Sequence, residues 1–150
     1  MSFHFVQAKT ESEIEKTKQL LEASYLHMDK HVSFTYNLYE DDELVGTIST
    51  HENVIKMIAV KEDRQGEQIT AHLLQHIMRL FEQSDVNKYF IFTKPENKSF
   101  FSHYPFRLIT ETQDIALFEN HLYPIEDHLL SLKLRLRPKH GTRAGIVMNC

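Results

Sequence analysis

The stretch Met57-Ile58-Ala59-Val60-Lys61-Glu62-Asp63-Arg64-Gln65-Gly66-Glu67-Gln68-Ile69-Thr70-Ala71-His72-Leu73-Leu74 joins two kinds of hydrophobic pattern. Before the junction, VIKMIAV (54–60) is almost continuously apolar, as a strand buried on both faces would be. Lys61 to Gln68 is a polar connection. After it, Ile69, Leu73, Ile77, Leu80 and Phe81 recur at helical spacing to about Gln83. KYFIFT (88–93) is then a second buried strand. The run therefore reads as one buried strand–helix–strand crossover.

Working outward, the N-terminal side is antiparallel in character. Phe3 to Lys9 alternates apolar and polar residues, as a strand does. Ser12 to Tyr25 reads as a helix, with Ser12 as cap and Glu15 three residues on. Ile14, Thr17, Leu20, Leu21 and Ser24 share one face of it. Residues 26–33 are polar and His-rich, a loop or short helical turn. Phe34 to Tyr39 and Leu44 to Thr50 form a hairpin around the acidic tip 40–43. On the C-terminal side, Pro95 and Asn97 open a short helix that runs through Phe101 and stops at Pro105. Arg107–Thr112 and Asp114–Phe118 make a last hairpin-like pair. Pro124–Leu136 is Leu-rich and helical in pattern, and Ala144–Met148 reads as one more strand. The order β-α-(α)-β-β-β-α-β-α-β-β defines an α+β domain with a mixed, mostly antiparallel sheet flanked by helices. It is not a doubly wound fold.

Composition narrows the function classes. The 150 residues are 41% hydrophobic and 25% charged, which suits one domain with a sizeable core. One Cys excludes an intrachain disulfide framework and a Cys-rich zinc site. A net charge of -4 does not favour nucleic acid or an anionic membrane as partner. The first residues lack the basic start and long apolar run of a signal peptide, so a cytoplasmic location is expected. With four glycines, there is little material for phosphate-cradling loops.

The element order and the junction resemble the GNAT acetyltransferase family. In that family a central strand enters a Gln/Arg-x-x-Gly-x-Gly/Ala loop and then a helix. The resemblance implies that the loop and helix N-terminus hold the pyrophosphate of acetyl-CoA, because unpaired N–H donors and a positive dipole end face the anion. Here the matching residues are Gln65, Gly66, Glu67, Gln68, Ile69 and Thr70. Gln65 takes the first position and Gly66 an extra glycine common in the family. Gln68 and Thr70 stand where the family has Gly and Gly/Ala. The strand before the loop, at Ile58 and Val60, is implied to lie along the cofactor, with backbone donors from Val60 polarising the acetyl carbonyl. Asn97 and Phe106 match a second family element that follows the next strand. Phe101 falls where the family often carries a Tyr general acid, which makes Tyr104 the candidate proton donor, with His103 beside it.

A narrower resemblance links the whole chain to citrate lyase ligases. Arg143-Ala144-Gly145-Ile146-Val147-Met148-Asn149-Cys150 is similar to the start of their nucleotidyltransferase domain, and QGEQIT (65–70) to their loop. The chain stops before the His-x-Gly-His adenylylation motif. The division implied is a GNAT-like domain at 1–122, then a helical linker and strand at 123–150. Two functions follow from the resemblance. One is transfer of acetyl from acetyl-CoA to an amine. The other is a non-catalytic domain that positions a CoA-like or phosphopantetheine group, with the citrate lyase acyl carrier subunit as partner. The tail strand is expected to pair with its own sheet or with a second protomer in a homodimer.

Other motifs carry simpler readings. His72 and His76 are four apart on the long helix, a spacing able to bind a metal, but no Glu lies between them and no third ligand stands out, so a packed or solvated face is expected and no metal. Phe100-Phe101 reads as core. The basic run 133–140 alternates with Leu and reads as the solvated face of a linker helix.

Overall fold

The computed structural model describes residues 2–26, 28–29, 31–101, 103 and 106–120. Tyr104, the helix expected at 124–136, the strand expected at 144–148 and the division at residue 122 lie outside them. A seven-stranded sheet runs in the order β1-β2-β3-β4-β5-β7-β6. The strands are β1 (Phe3–Gln7), β2 (Phe34–Glu40), β3 (Glu43–His51), β4 (Val54–Val60), β5 (Phe90–Thr93), β6 (Phe106–Glu111) and β7 (Ala116–Asn120). The helices are α1 (Glu11–Ala23), α2 (Glu67–Gln83) and α3 (Lys98–Phe101). All neighbours are antiparallel except β4 and β5, which α2 connects as a crossover. This is the mixed, mostly antiparallel sheet expected from the sequence. The order at the far edge is less direct, because β7 inserts between β5 and β6.

The start of α1 lies earlier than Ser12. The sequence holds two overlapping capping boxes, Thr10-x-x-Glu13 and Ser12-x-x-Glu15, and the first one forms. Thr10 has extended backbone angles, its Oγ1 accepts from the Glu13 N–H at 3.2 Å, and Glu13 Oε1 accepts from the Thr10 N–H at 3.0 Å. The Thr10 N–H and the Lys9 N–H, which also donates to Glu13 Oε1 at 3.0 Å, hold the Glu13 carboxyl below its ordinary pKa. The register that follows buries Thr17, Leu20 and Leu21 and leaves Ile14 40% exposed, off the expected face. The bracketed helix of the sequence order does not form among the described residues of 26–33.

The two long helices cover opposite faces. Gly46 and Thr47 are consecutive on β3, so their side-chain directions are opposed. A Cβ on Gly46 would lie 3.0 Å from Ile69 Cγ2 and 3.1 Å from Leu73 Cδ1, both on α2. Thr47 Oγ1 instead donates at 2.8 Å to Asn37 Oδ1, and Asn37 Nδ2 donates at 2.9 Å to Thr17 Oγ1 on α1. The α2 face is apolar: Ile69, Leu73, Leu74 and Ile77 are buried there with Leu38, Ile48, Ile55 and Ile91. Each such side chain contributes about 1.5–3 kcal/mol. The α1 face is mixed. A small cluster of Leu20, Leu21 and Ala59 adjoins the buried Thr17, Asn37 and Thr47.

Candidate functional site at the parting of two parallel strands

β4 and β5 are in register only at Val54–Phe90 and Ile55–Ile91. Beyond those two pairs they part, and among the described residues the edge of β4 from Lys56 to Val60 has no partner strand on the β5 side. A bulge bends β4 just there. Thr47 pairs Ala59 and Ser49 pairs Lys56, so Ile48 faces both Met57 and Ile58, and Met57 takes a left-handed φ of 59°. An extra residue in one strand increases its twist and turns it away from its neighbour. This explains why β4 is less enclosed than its apolar text suggests. Ile55, Ala59 and Val60 are buried, but Met57 and Ile58 are half-buried.

The strand then leads into the junction loop. The Lys61 N–H donates to the Val45 carbonyl at 2.9 Å, and residues Glu62–Arg64 make one 3-10 turn. Gln65 Nε2 donates to the Val60 carbonyl at 2.7 Å, so its amide ties the loop to the end of β4. Gly66 is the N-cap of α2, with φ 135° and ψ 173°, and no side chain caps the helix. That conformation is essentially restricted to glycine. A Cβ there would meet nothing within 4 Å, so the approach to the helix end is open. The first turn of α2 starts at Glu67, earlier than the sequence pattern places it, which puts Gln68, Ile69 and Thr70 inside the helix. The first N–H groups of any helix lack intrahelical acceptors. Here they sit beside the parting strands. The Ile69 side chain is buried against β3, so only its backbone faces the loop, whereas Gln68 is exposed and Thr70 half-buried.

On the other wall, Asn97 Nδ2 donates to Thr93 Oγ1 at 2.9 Å, fixing the turn after β5. Phe101 is fully buried, ringed by Phe100, Phe106 and Phe118 at centroid distances of 5.0–5.7 Å. It is core, as the Phe100-Phe101 pair reads in the sequence, and its ring offers no surface to a ligand. His103 Nδ1 lies 2.8 Å from the Ser99 carbonyl, which only accepts, so that nitrogen carries a proton and serves the helix end.

Three residues not singled out in the sequence flank the same gap. Lys94, just past β5, donates its ammonium to the Ser24 carbonyl and lies 5.7 Å from the centre of the Tyr25 ring. Lys56 on β4 bonds Asp29 at 2.6 Å, and the Asp29 N–H points at Met57 Sδ at 3.3 Å. The Lys56 hydrogen bond holds the Asp29 carboxyl below its ordinary pKa. The chain leaving α1 is thus fastened to both walls. A signal was present: Lys56 is the lone charge in VIKMIAV. His72 and His76 lie against rings of β1. His72 meets Phe3 in a tilted contact at 4.7 Å, and His76 stacks on Phe5 at 3.9 Å. Among the described residues no group of three or more His, Cys, Asp or Glu converges. No helix of the described residues is long and apolar enough to cross a membrane.

A mixed sheet that opens between two parallel strands, beside a glycine-led helix start, defines the acyl-CoA N-acyltransferase fold. The model of the acetyltransferase (GNAT) domain matches residues 5–118, and the chain belongs to that family. Two curated relatives are named [citrate [pro-3S]-lyase] ligase. The one from Escherichia coli (strain K12) is 28% identical over 133 residues, 87% of this chain and 37% of the relative. The one from Klebsiella pneumoniae is 34% identical over 108 residues, 71% of this chain and 31% of the relative. The chain thus spans about a third of their length. Among solved structures, Arabidopsis thaliana Naa50 in complex with a CoA-containing bisubstrate analogue superposes with a TM-score of 0.66 at 14% identity, covering 81% of this chain and all of that one.

Proposed function

We propose that this domain binds acetyl-CoA in the gap between β4 and β5 and transfers the acetyl group to an amine. One observation carries the reading: the two parallel strands stay paired for two residues and part beside the Gly66-led start of α2. The residues present suit such a ligand. The open space at Gly66 and the free amides of the first turn suit a pyrophosphate, and the unpaired edge of β4 suits the amides of a pantetheine arm. Gln68 and Thr70 leave this intact, since only their backbones are needed at the helix end. Bound acetyl-CoA supplies an activated thioester. The chain's own contribution is orientation by the β4 edge at Ile58 and Val60 and anion binding at 65–70. Tyr104 is assigned the proton that the leaving thiolate needs, because Phe101 has none to give. A cytoplasmic setting accords with this chemistry.

A second reading draws on the two ligase relatives and on the burial of Phe101. In it the fold keeps the binding site without turnover and positions the CoA-like group of a citrate lyase acyl carrier subunit. Calorimetric titration with acetyl-CoA, followed by an amine panel, separates the two. Binding with acetyl transfer supports the first. Binding without transfer to any amine supports the second. Absence of heat at millimolar acetyl-CoA overturns the first and removes the cofactor from the second.

A further inference from the structure

The loop that leads into α2 is anchored at its far side, away from the gap, by two acids of the β2–β3 hairpin. Arg64, the last residue of the 3-10 turn, pairs through Nη1 with Glu40 Oε1, and Lys61 pairs with Glu43. The two pairs differ in kind. Lys61 and Glu43 are exposed at 41% and 45%, and such a pair adds little. Glu40 is 5% exposed and Arg64 27%. Among the described residues the second oxygen of Glu40 is buried without a hydrogen-bond partner, and Arg64 is the cation that pairs with the first. A buried ion pair satisfied on one side is a poor source of stability, because desolvation opposes the attraction. What it does supply is a fixed geometry. Between Arg64 and α2 stand only Gln65, which is tied to Val60, and Gly66, whose φ gives the chain a freedom no other residue has. The direction of the helix start is therefore set by the points that pin the loop on either side of Gly66: the Glu40–Arg64 pair before it, and the packing of Ile69 on Gly46 after it.

We infer that Glu40 and Arg64 are positioning residues for the anion-binding end of α2, and that their ion pair tunes affinity for the phosphate part of a CoA-type ligand without touching it. The inference rests on the acetyl-CoA reading above. It predicts selectivity: loss of the pair weakens binding of a ligand with phosphates and spares one without.

The test compares CoA with pantetheine by calorimetry, using wild type, Glu40→Gln and the double variant Glu40→Leu/Arg64→Met. The double variant replaces the buried pair with apolar groups, which keeps or raises stability, so it stays informative if Glu40→Gln unfolds. Expected is a loss of about tenfold in CoA affinity, the scale of one charge-assisted hydrogen bond, with pantetheine affinity unchanged. A folded double variant that binds CoA like wild type overturns the inference and leaves the acetyl-CoA reading standing. Equal losses for CoA and pantetheine also overturn it, since they mark general loosening. Wild type that binds neither ligand overturns the acetyl-CoA reading and this inference with it.

Discussion

Replacing Gly66 by alanine isolates backbone conformation from packing. With φ 135° and ψ 173°, the residue occupies a region that L side chains enter at a cost of about 1–3 kcal/mol. No heavy atom outside residues 65–67 lies within 4 Å of the added Cβ, so no tertiary clash adds to that figure. Alanine also reduces the freedom of the unfolded chain, which offsets about 0.4–1 kcal/mol. The net loss is about 1–2 kcal/mol. With a urea slope of about 1–3 kcal/mol/M for a domain of this size, the midpoint falls by roughly 0.3–2 M at unchanged slope. Urea unfolding followed by far-UV circular dichroism reads both quantities. Gly46→Ala is the control, because its Cβ meets Ile69 and Leu73 at 3.0 and 3.1 Å and its loss comes from contact alone. A Gly66→Ala midpoint equal to or above wild type refutes the reasoning: residue 66 would then not need the glycine conformation, and the open start of α2 would lose its cause.

Thr10→Ala should lower stability by about 1 kcal/mol while Ser12→Ala stays within about 0.5 kcal/mol, as thermal melts will read, because Thr10 holds the cap. Asn37→Leu should cost about 1–3 kcal/mol in urea unfolding, since it removes the amide that joins the hydroxyls of Thr17 and Thr47 and leaves them only the Glu13 carbonyl at 2.8 Å and the Tyr36 carbonyl at 3.4 Å. The triple variant Thr17→Val/Asn37→Leu/Thr47→Val should recover part of that loss. Burial first, and then the charge of Arg79, hold the His76 imidazole below its ordinary pKa of 6.5. Between that lowered value and 6.5 the unfolded chain binds more protons than the folded one. Stability contributed by neutral His76 is therefore full above about 6.5 and declines as pH falls below it. Urea midpoints at pH 7.5 and 5.5 should show this drop, and His76→Phe should reduce it; an undiminished drop in the variant would assign it to other groups.

The elements were legible wherever one periodicity ruled. The unbroken run 54–60 and the Ile69–Phe81 stripe give β4 and α2, and their junction gives the crossover on which the family resemblance rests. Capping was ambiguous because two boxes overlap by two residues, and local text cannot rank them. The order β5-β7-β6 was not legible, since a hairpin does not say which of its strands meets the sheet. At the site, Gly66 could be read from the loop pattern. Gln65 could be placed there, but not its bond to Val60, which depends on the path of the 3-10 turn. Lys94, Asp29 and Glu40 were missed for one reason: each acts through a partner 24 or more positions away in the chain, a separation at which sequence patterns are silent.

Among the described residues, two rungs of parallel pairing are the strand contact that joins the four strands β1–β4 to the three strands β5, β7 and β6, with α2 as the covalent crossover. The sheet is in effect two ribbons stitched at one end. Such a seam is where thermal opening should begin, so amides from Lys56 to Val60 should exchange with solvent sooner than those of β3 beside them. A bound molecule laid into the seam would act as an eighth strand made of something other than protein, and the clearest sign of occupancy would be mechanical: the two ribbons would come apart together or not at all.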